Sequence, residues 1–404
     1  MEILLLLIHV IFASLLFGIF GAWTYFLAYM LKSLKLSPSL DDLGIRPAHG
    51  KVLKVSVILP ARNEEKYIGK CLQTLLRQNY PNYEIVVIND SSTDRTGDII
   101  NQLALKSSSI LVVNAKPKPE DWVGKNWACY EGYQRATGDV FLFTDADTSH
   151  SALTMSLAIS YLKEQNLDAL TAIPRLVCKD FWTRITLPVL SNFLHSRFSA
   201  LRVNNPDTKT GYFFGSFYVI TRSAYEKVGT HMIVKHELVE DGALGRKVKE
   251  ENFKMKMVRG EKYVDALWAR DFKTLWHGLR RLMISVYSQD KTSASLMTIA
   301  VFFLLLEPFL SLLYALEVYT KGSNIIINEV LLGINIATIA IIVLANAIQL
   351  KFGIFQNPLY ALGSPISAAI VSLSFISSLL DAKKIGAVNW RDRLYTIRKN
   401  QHPL

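Results

Sequence analysis

Two kinds of hydrophobic pattern alternate along this chain. Long apolar runs occupy both ends: residues 3–31 contain no Asp, Glu, Lys or Arg, and residues 293–380 contain three apolar stretches centred near Leu305, Ala337 and Val371. At about 1.5 Å per residue, the first run exceeds the roughly 30 Å needed to cross a bilayer. The pattern predicts one N-terminal and about three C-terminal membrane segments around a folded central domain.

The central pattern is typical of an α/β fold. Helices are predicted at residues 65–78 and 93–105, and strands at residues 55–59, 84–88, 110–114 and 140–144. Strands joined by helices form a parallel sheet, and near-continuous β-branched runs predict helices on both of its faces. Three of the strands run into polar loops, "PARNEE", "NDSSTD" and "DADTSH". Because parallel strands end at one edge of a sheet, these loops are expected to converge where such sheets bind ligands.

The residues flanking the first apolar run predict its orientation. Trp23, Tyr25 and Tyr29 suit an interfacial belt, and Lys32 and Lys35 follow. By the positive-inside rule the central domain is cytosolic. A cleaved signal peptide is disfavoured, because the amino terminus lacks a basic n-region and the apolar run is too long. The predicted divisions are a transmembrane helix at 1–32, a linker at 33–50, the central domain at 51–289, membrane segments at 293–380 and a basic tail at 381–404.

The charge composition indicates which binding partners to expect. The net charge of +11 comes from 45 Lys and Arg against 34 Asp and Glu, and much of the excess flanks the apolar runs. Bases beside a membrane segment bind anionic headgroups, which favours the bilayer over nucleic acid as a partner. The basic tail is expected in the cytosol, so one of the three C-terminal segments should not cross. Cys71, Cys129 and Cys178 form no CxxC motif, and neither a zinc cluster nor a disulfide framework is predicted.

Two carboxylates, Asp145 and Asp147, follow the fourth predicted strand one residue apart. An acidic turn is one interpretation, because Asp satisfies backbone donors where strands end. The other is a divalent metal held against a phosphate at the carboxyl end of the strand. A calcium loop would need more oxygen ligands than "DADTSH" supplies. The convergence of three polar loops favours a ligand site.

The chain resembles the family 2 inverting glycosyltransferases of GT-A fold. The resemblance rests on "VSVILPARNEEKYIGKCLQTLLRQNYPNYEIVVINDSSTDRT", "TDAD", "GYFFGSFYVITRSAYEKVG" and "ELVEDGALGRKVKEENFKM". "WVGKNWACYEGYQRATGD" and "VNWRDRLY" are similar to the membrane-bound branch that glycosylates lipids such as ceramide, hopanoids and carotenoids. The resemblance implies a Rossmann-like, mostly parallel sheet, a nucleotide-sugar donor such as a UDP-hexose, a lipid acceptor, and Mg²⁺ or Mn²⁺.

The resemblance also assigns roles around the donor. Asp147 contacts the metal and Asp145 lies beside it, toward the ribose or sugar. The nucleotide pocket is expected to be lined by Pro60, Ala61, Glu64 and Asp90. Taken alone, the "NDSSTD" loop is also a good helix start, with Ser92 or Thr93 as the cap and Asp94 as a structural residue.

Further residues are candidates for catalysis. The ED motif of the family places the general base at Asp241, beside Glu240, although acids are common in the first turn of any helix. Lys125 is expected in a loop, either solvated or fixed near the diphosphate. "LWHGLRRLM" matches the Q-x-x-R-W motif in part, and it offers Arg280 and Arg281 near the diphosphate without the following Trp. That departure disfavours a processive polysaccharide synthase.

Two helices are expected to lie at the membrane interface, near residues 180–203 and 270–290. The first has a wide apolar face, basic flanks and a bend at Pro188, although a buried core helix would show a similar pattern. A lipid could then reach the site from the membrane plane. Two alternatives to lipid glycosylation stay open: a polyprenyl-phosphate hexose synthase, and a catalytically silent scaffold, which the retained acids disfavour.

Overall fold

The computed structural model describes residues 2–45, 52–321, 325–385, 387–390 and 393–396. The chain forms two compact units. The helical unit comprises Met1–Lys35, Cys178–Ser196 and Trp268–Leu404, and the sheet unit comprises Leu36–Val177 and Arg197–Leu267. The central domain expected at 51–289 is therefore interrupted, because residues 178–196 and 268–289 group with the apolar ends of the chain.

The strands are β1 (Val55–Ala61), β2 (Tyr83–Asn89), β3 (Ile110–Asn114), β4 (Val140–Phe143), β5 (Thr148–His150), β6 (Ala169–Ile173), β7 (Arg175–Leu176), β8 (Tyr218–Thr221), β9 (Met255–Arg259), β10 (Val264–Ala266), β11 (Ala387–Trp390) and β12 (Arg393–Thr396). The α-helices are α1 (Glu2–Leu36), α2 (Ile68–Leu76), α3 (Thr96–Ala104), α4 (Gly124–Arg135), α5 (Thr154–Glu164), α6 (Phe181–Phe198), α7 (Ala200–Val203), α8 (Arg222–Val228), α9 (Glu240–Glu250), α10 (Phe272–Gln289), α11 (Lys291–Val301), α12 (Glu307–Lys321), α13 (Ile325–Ile348) and α14 (Ser364–Ile385). Two π-helical turns, Phe302–Leu306 and Gln349–Ile354, and two 3₁₀ turns, Thr230–Met232 and Pro358–Gly363, complete the set.

A seven-stranded, mostly parallel sheet forms the centre of the sheet unit. Its order is β3-β2-β1-β4-β8-β6-β9, and β8 alone among these strands runs opposite to its neighbours. A second sheet, β5-β10-β7, is built from strands of two or three residues. The predicted parallel α/β fold is confirmed, and the small second sheet and β8 are features that the hydrophobic pattern did not reveal.

Alternate residues of each central strand enter two cores on opposite faces of the sheet. Val57 and Leu59 of β1 pack into one core with Leu72 of α2, whereas Ile58 packs into the other with Ala128 of α4. Because successive side chains of a strand point to opposite faces, a strand covered on both sides must be apolar throughout. All seven residues of β1 are buried, as this argument requires.

Four helical segments of the described chain are long and apolar enough to cross a membrane, as predicted. They are Leu6–Leu36, Lys291–Lys321, Ile326–Ile354 and Pro358–Ala382. In the tail, β11 and β12 form an antiparallel hairpin that pairs Trp390 with Arg393. Arg391, in the "VNWRDRLY" segment of the tail, lies outside the described residues.

Helix α6 covers the first of the two expected interfacial segments. Its central residues are buried over consecutive positions, from Ile185 to Asn192, rather than along one stripe. Phe181 and Trp182, at its start, are exposed and stack edge to face. The middle of α6 is thus enclosed by protein, and contact with the interface at its start stays a prediction. Helix α10 covers the second segment and begins with a capping box between Asp271 and Thr274.

Candidate active site

The loops after β1 and β2 are tied to each other at the carboxyl edge of the sheet. Arg62 Nη1 donates to the carbonyl oxygen of Asp90 at 2.8 Å. The carboxylate of Asp94 accepts from the backbone N–H of Glu65 at 3.1 Å and of Thr96 at 3.0 Å. These bonds make Asp94 structural, as predicted. The cap expected from Ser92 or Thr93 is wrong, because α3 begins only at Thr96 and Asp94 supplies the capping bond.

Both loops contain a residue in the left-handed region. Asn63 and Ser91 each have a φ of 52°. Such a conformation costs of order 1 kcal/mol for a residue other than glycine and persists only where surrounding contacts impose it. Here the Asn63 side chain accepts from Thr93 N at 2.9 Å, and Arg62 Nη1 also donates to Ser91 O at 3.0 Å. The two loops therefore hold each other in fixed, strained conformations.

The residues expected to bind the nucleotide lie at this edge. Pro60 and Ala61 are the last two residues of β1, not loop residues, and they pair in register with β2. Glu64 and Asp90 are buried, with 1% and 4% of their surfaces exposed. Acids seldom reach such burial on a loop unless they are engaged. Their positions fit the predicted pocket, and their contact with a nucleotide stays a prediction.

Lys125 forms the centre of a charged cluster. It lies in the first turn of α4, not in a loop, and its ammonium is 2.7 Å from Asp145 Oδ1 and 2.6 Å from Glu240 Oε1. Burial alone would lower the pKa of Lys125, but Asp145, Glu240 and Asp241 outweigh it and raise that pKa well above the usual value. The ammonium is therefore permanently charged, and it connects the end of β4 to the start of α9.

Asp241 lies beside this cluster, in the first turn of α9. Its Oδ2 accepts from Gly215 N at 2.7 Å and its Oδ1 from Gly242 N at 2.8 Å. Burial and the neighbouring Glu240 carboxylate raise the pKa of Asp241 to about 6. Asp241 is thus a carboxylate in a fixed orientation, with a pKa suited to a general base near neutral pH.

Gly215 is a site residue that the sequence did not single out. A Cβ at this position would lie 2.7 Å from Asp241 Oδ2, 3.2 Å from Asp145 Oδ2 and 3.2 Å from Lys125 Nζ. The cluster closes around a position that only glycine leaves open. The available signal was a glycine between aromatic residues in "YFFGSF".

The residues at this edge fit a divalent cation that a bound donor would complete. Three carboxylates surround the Lys125 ammonium, and this excess of negative charge opposes a diphosphate. Carboxylate oxygens suit Mg²⁺ or Mn²⁺, which usually take one or two of them plus phosphates and water. Within the described residues, no group of three or more His, Cys, Asp or Glu could hold a metal alone. Asp147, half-buried two residues after Asp145, is the candidate ligand.

Arg280 and Arg281 belong to the helical unit, on α10. Arg280 pairs with Asp381 near the end of α14. The structure thus brings together Lys125, Asp145, Glu240 and Asp241 by direct contacts within the sheet unit, and it gives Arg280 a partner within the other unit. Cys71, Cys129 and Cys178 are all buried free thiols.

Comparisons with known proteins agree with this geometry. The family described as "Glycosyl transferase family 2" matches residues 56–229. A 4,4'-diaponeurosporenoate glycosyltransferase of Staphylococcus aureus (strain USA300) is 25% identical over 358 residues, which are 86% of this chain and 89% of the relative. One from Staphylococcus haemolyticus is 27% identical over 229 residues, and the match spans 55% of this chain and 59% of that relative.

A solved structure shows the same fold. The mannosyltransferase PcManGT from Pyrobaculum calidifontis, in complex with GDP-Man and Mn²⁺, superposes with a TM-score of 0.54 at 16% sequence identity. The match covers 92% of this chain and 99% of that one. At this identity the likeness concerns the fold, and it extends over nearly the whole of both chains.

Proposed function

We propose that this chain, whose residues 56–229 match glycosyl transferase family 2 and whose sheet unit has a GT-A fold, transfers one sugar from a nucleotide-sugar to a lipid at the cytosolic face of a membrane, with inversion at the anomeric carbon. A UDP-hexose is the expected donor. The observation that carries the proposal is the contact of Lys125 with both Asp145 and Glu240, beside the fixed carboxylate of Asp241. Such a cluster connects the end of β4, where the nucleotide-sugar is expected to bind, with Asp241, the residue expected to accept the proton.

In this mechanism the acceptor O–H attacks the anomeric carbon from the side opposite the diphosphate. The new carbon–oxygen bond forms as the bond to the diphosphate breaks, and the proton passes to Asp241. Gly215 N–H orients the Asp241 carboxylate, and Lys125 holds Asp145 toward the donor. When bound, a divalent cation on Asp147 would neutralise charge on the diphosphate.

A lipid acceptor is supported by two features. Four candidate membrane spans accompany the sheet unit in one chain. The S. aureus relative is named for 4,4'-diaponeurosporenoate, and it matches along most of both chains. A carotenoid-like acid or alcohol is therefore the acceptor class to test first.

The experiment is incubation of the purified full-length chain with radiolabelled nucleotide-sugars and separate acceptors: a carotenoid acid, a neutral lipid alcohol and a polyprenyl phosphate. We expect a glycolipid product from the carotenoid acid or from the neutral lipid alcohol. The Asp241→Asn chain is the matched control and should form no product. Product from polyprenyl phosphate alone would overturn the proposed acceptor class, and no product from any pair would overturn the proposed reaction.

The same assay tests the metal. Asp147→Ala should abolish the stimulation of transfer by Mn²⁺ or Mg²⁺, and an excess of chelator should abolish transfer by the unaltered chain. Asp98→Ala, which removes an exposed carboxylate from α3, is the control. Full activity of the Asp147→Ala chain, or of the unaltered chain in chelator, would remove the metal from the mechanism.

A further inference from the structure

A chain of buried amides runs through the helical unit. Asn192 of α6 donates to Asn346 Oδ1 of α13 at 2.8 Å, and Asn346 Nδ2 donates to Ser364 Oγ of α14 at 2.9 Å. Ser364 Oγ in turn donates to the carbonyl oxygen of Ala361 at 2.5 Å. All three polar side chains are buried. Polar groups within membrane segments are costly unless they are hydrogen-bonded, and Asn and Ser side chains meet this need by bonding across neighbouring helices.

The donor and acceptor of each of these hydrogen bonds are fixed by the last bond, from Ser364 to the carbonyl oxygen of Ala361. A backbone carbonyl only accepts, so the Ser364 hydroxyl must donate to Ala361 and accept from the amide of Asn346. The carbonyl oxygen of Asn346 then faces Asn192, which must donate its NH₂. The Oδ1 atom of Asn192 has no hydrogen-bond partner among the described residues, although the side chain is only 8% exposed.

Asn192 lines a narrow cavity within the helical unit. Helix α1 contributes aromatic side chains to its lining, and α6 and α13 contribute the rest. The lining includes Trp23, Phe26, Tyr29, Asn192, His195 and Ala345. The free space admits a group about the size of a hydroxyl. The lining of the cavity therefore includes a buried amide that has one unpaired oxygen, together with aromatic side chains.

The cavity walls are held in place by specific contacts. Trp23 Nε1 donates to Leu304 O at 2.7 Å, within a π-helical turn. Gln349 Nε2 donates to Ser191 Oγ at 2.6 Å, one residue before Asn192, and this side chain fits because position 353 is glycine, where a Cβ would lie 2.3 Å from Gln349 Nε2. Such π-helical turns recur at functional sites.

The cavity also lies at a defined level of the first membrane segment. Trp23, Phe26 and Tyr29 are in the last half of α1, and Trp23 and Tyr29 belong to the aromatic belt expected at the cytosolic interface. At that level an amphiphile changes from apolar to polar. The polar end of a lipid is therefore the group most readily brought to Asn192.

We propose that this cavity binds the O–H end of a long apolar molecule, an alcohol or a protonated carboxylic acid, by donation to Asn192 Oδ1. An occupant with an O–H is favoured, because Oδ1 is the Asn192 atom that is buried without a hydrogen-bond partner among the described residues. Its apolar remainder lies against the aromatic wall. The site thus selects amphiphiles by the hydrogen atom on their polar end.

The unaltered full-length chain in detergent tests this selectivity. Two photoreactive probes are compared, a long-chain fatty alcohol with a diazirine and a terminal alkyne, and its methyl ether, which has the same chain but no donor. We expect the alcohol to label peptides containing Trp23 or Asn192 about three- to tenfold more than the ether, the factor that one ordinary hydrogen bond provides. Equal labelling by the two probes would overturn the proposal.

Substitutions locate the acceptor. Asn192→Ala should reduce alcohol labelling to the level of the ether, and Ala345→Leu, which fills the cavity, should abolish labelling by both probes. Asn335→Ala is the matched control: Asn335 is a buried amide of α13 whose Oδ1 also lacks a partner among the described residues, and it does not line the cavity. Loss of labelling in Asn335→Ala equal to that in Asn192→Ala would contradict the assignment.

Labelling is measured without a nucleotide-sugar, so it is independent of the proposed reaction. If Asn192→Ala raises the Michaelis constant for a lipid acceptor, the occupant is the acceptor; if that constant is unchanged while labelling falls, the occupant is a resident membrane lipid. Both results support the site. A chain that is labelled selectively but transfers no sugar would retain this inference and refute the proposed function.

Discussion

Asp241 is the residue on which the proposed chemistry depends most. Asp241→Asn keeps the side chain's size and can still face Gly215 N–H, but it cannot accept a proton. Loss of a general base typically lowers kcat by ~10² to 10⁴, and donor affinity should persist. Steady-state rates test the expected loss of kcat, and equilibrium binding of the nucleotide-sugar tests the expected retention of donor affinity. Activity close to that of the unaltered chain would move the base elsewhere, to Glu240 first.

The pH dependence of transfer follows from the same carboxylate. Burial and Glu240 raise the pKa of Asp241 to about 6, and only the ionised form accepts a proton. Activity should therefore rise with pH through about 6 and level off above it, falling about tenfold per unit on the acid side. The rate profile at saturating substrate tests this, and Asp241→Asn should lose the inflection. A flat profile across this range would rule out Asp241 as the titrating base.

Gly215 makes a separate prediction at the residue scale. A methyl group there would lie 2.7 Å from Asp241 Oδ2, so the carboxylate must move. Because misplacing a catalytic group by about 1 Å can cost ~10² in rate, Gly215→Ala should reduce kcat by at least about tenfold. Gly333→Ala is the control, since a Cβ there meets nothing within 4 Å. Equal kcat values for the two variants would show that the cluster tolerates the displacement.

At the scale of elements, the tied loops after β1 and β2 are expected to preorganise the nucleotide pocket. Asp94→Ala removes both the bond to Glu65 N and the capping bond to Thr96 N. We expect a loss of about 1–2 kcal/mol in unfolding free energy and a raised Michaelis constant for the donor, with kcat little changed. Asp98→Ala, which removes the exposed acid from the first turn of α3, should leave the donor constant unchanged. A normal donor constant in Asp94→Ala would show that the pocket does not need this tie.

The elements show what the sequence could predict. β3 matches its predicted range, and β1, β2 and β4 were each placed within about two residues, the usual error at element boundaries. Strands of two or three residues such as β7 and β5 are too short for periodicity to register. Asp145 was predicted because carboxylates after strands are visible in a sequence, whereas Glu240 and Asp241 were predicted through the resemblance to the ED motif of the family. Gly215 was not, since its role is to leave space beside residues distant in the chain.

At the scale of the whole molecule, the tail makes a prediction about donor binding. A basic segment beside a membrane helix is often only a headgroup anchor, but the similarity of "VNWRDRLY" to lipid glycosyltransferases suggests a tail that also helps to bind the donor. We expect removal of residues 387–404 to raise the Michaelis constant for the donor or to lower turnover in detergent, where no membrane is left to anchor to. Unchanged kinetics with weaker membrane retention would reduce the tail to an anchor.

The division into two units was the least predictable feature. The hydrophobic pattern predicts the segment of α6 within the central domain, as a helix at the membrane interface. Its Asn192 side chain instead donates to Asn346 of α13, far along the chain. A hydrophobic pattern shows which face of a helix is apolar but not which elements pack against it. The sequence of an apolar helix therefore does not show which of two units it belongs to.

The interleaving of the units has a consequence for synthesis. The strand that joins the two parts of the large sheet, β8, is made after α6, which itself joins the helical unit. A nascent chain ending before Tyr218 therefore presents β4 and β6 with unsatisfied edges, the state in which strands pair with other chains. At that moment α6 also lacks Asn346, whose codon lies 154 positions downstream of that for Asn192. Ribosomal pausing or a chaperone in this window would protect both the sheet and the buried amides.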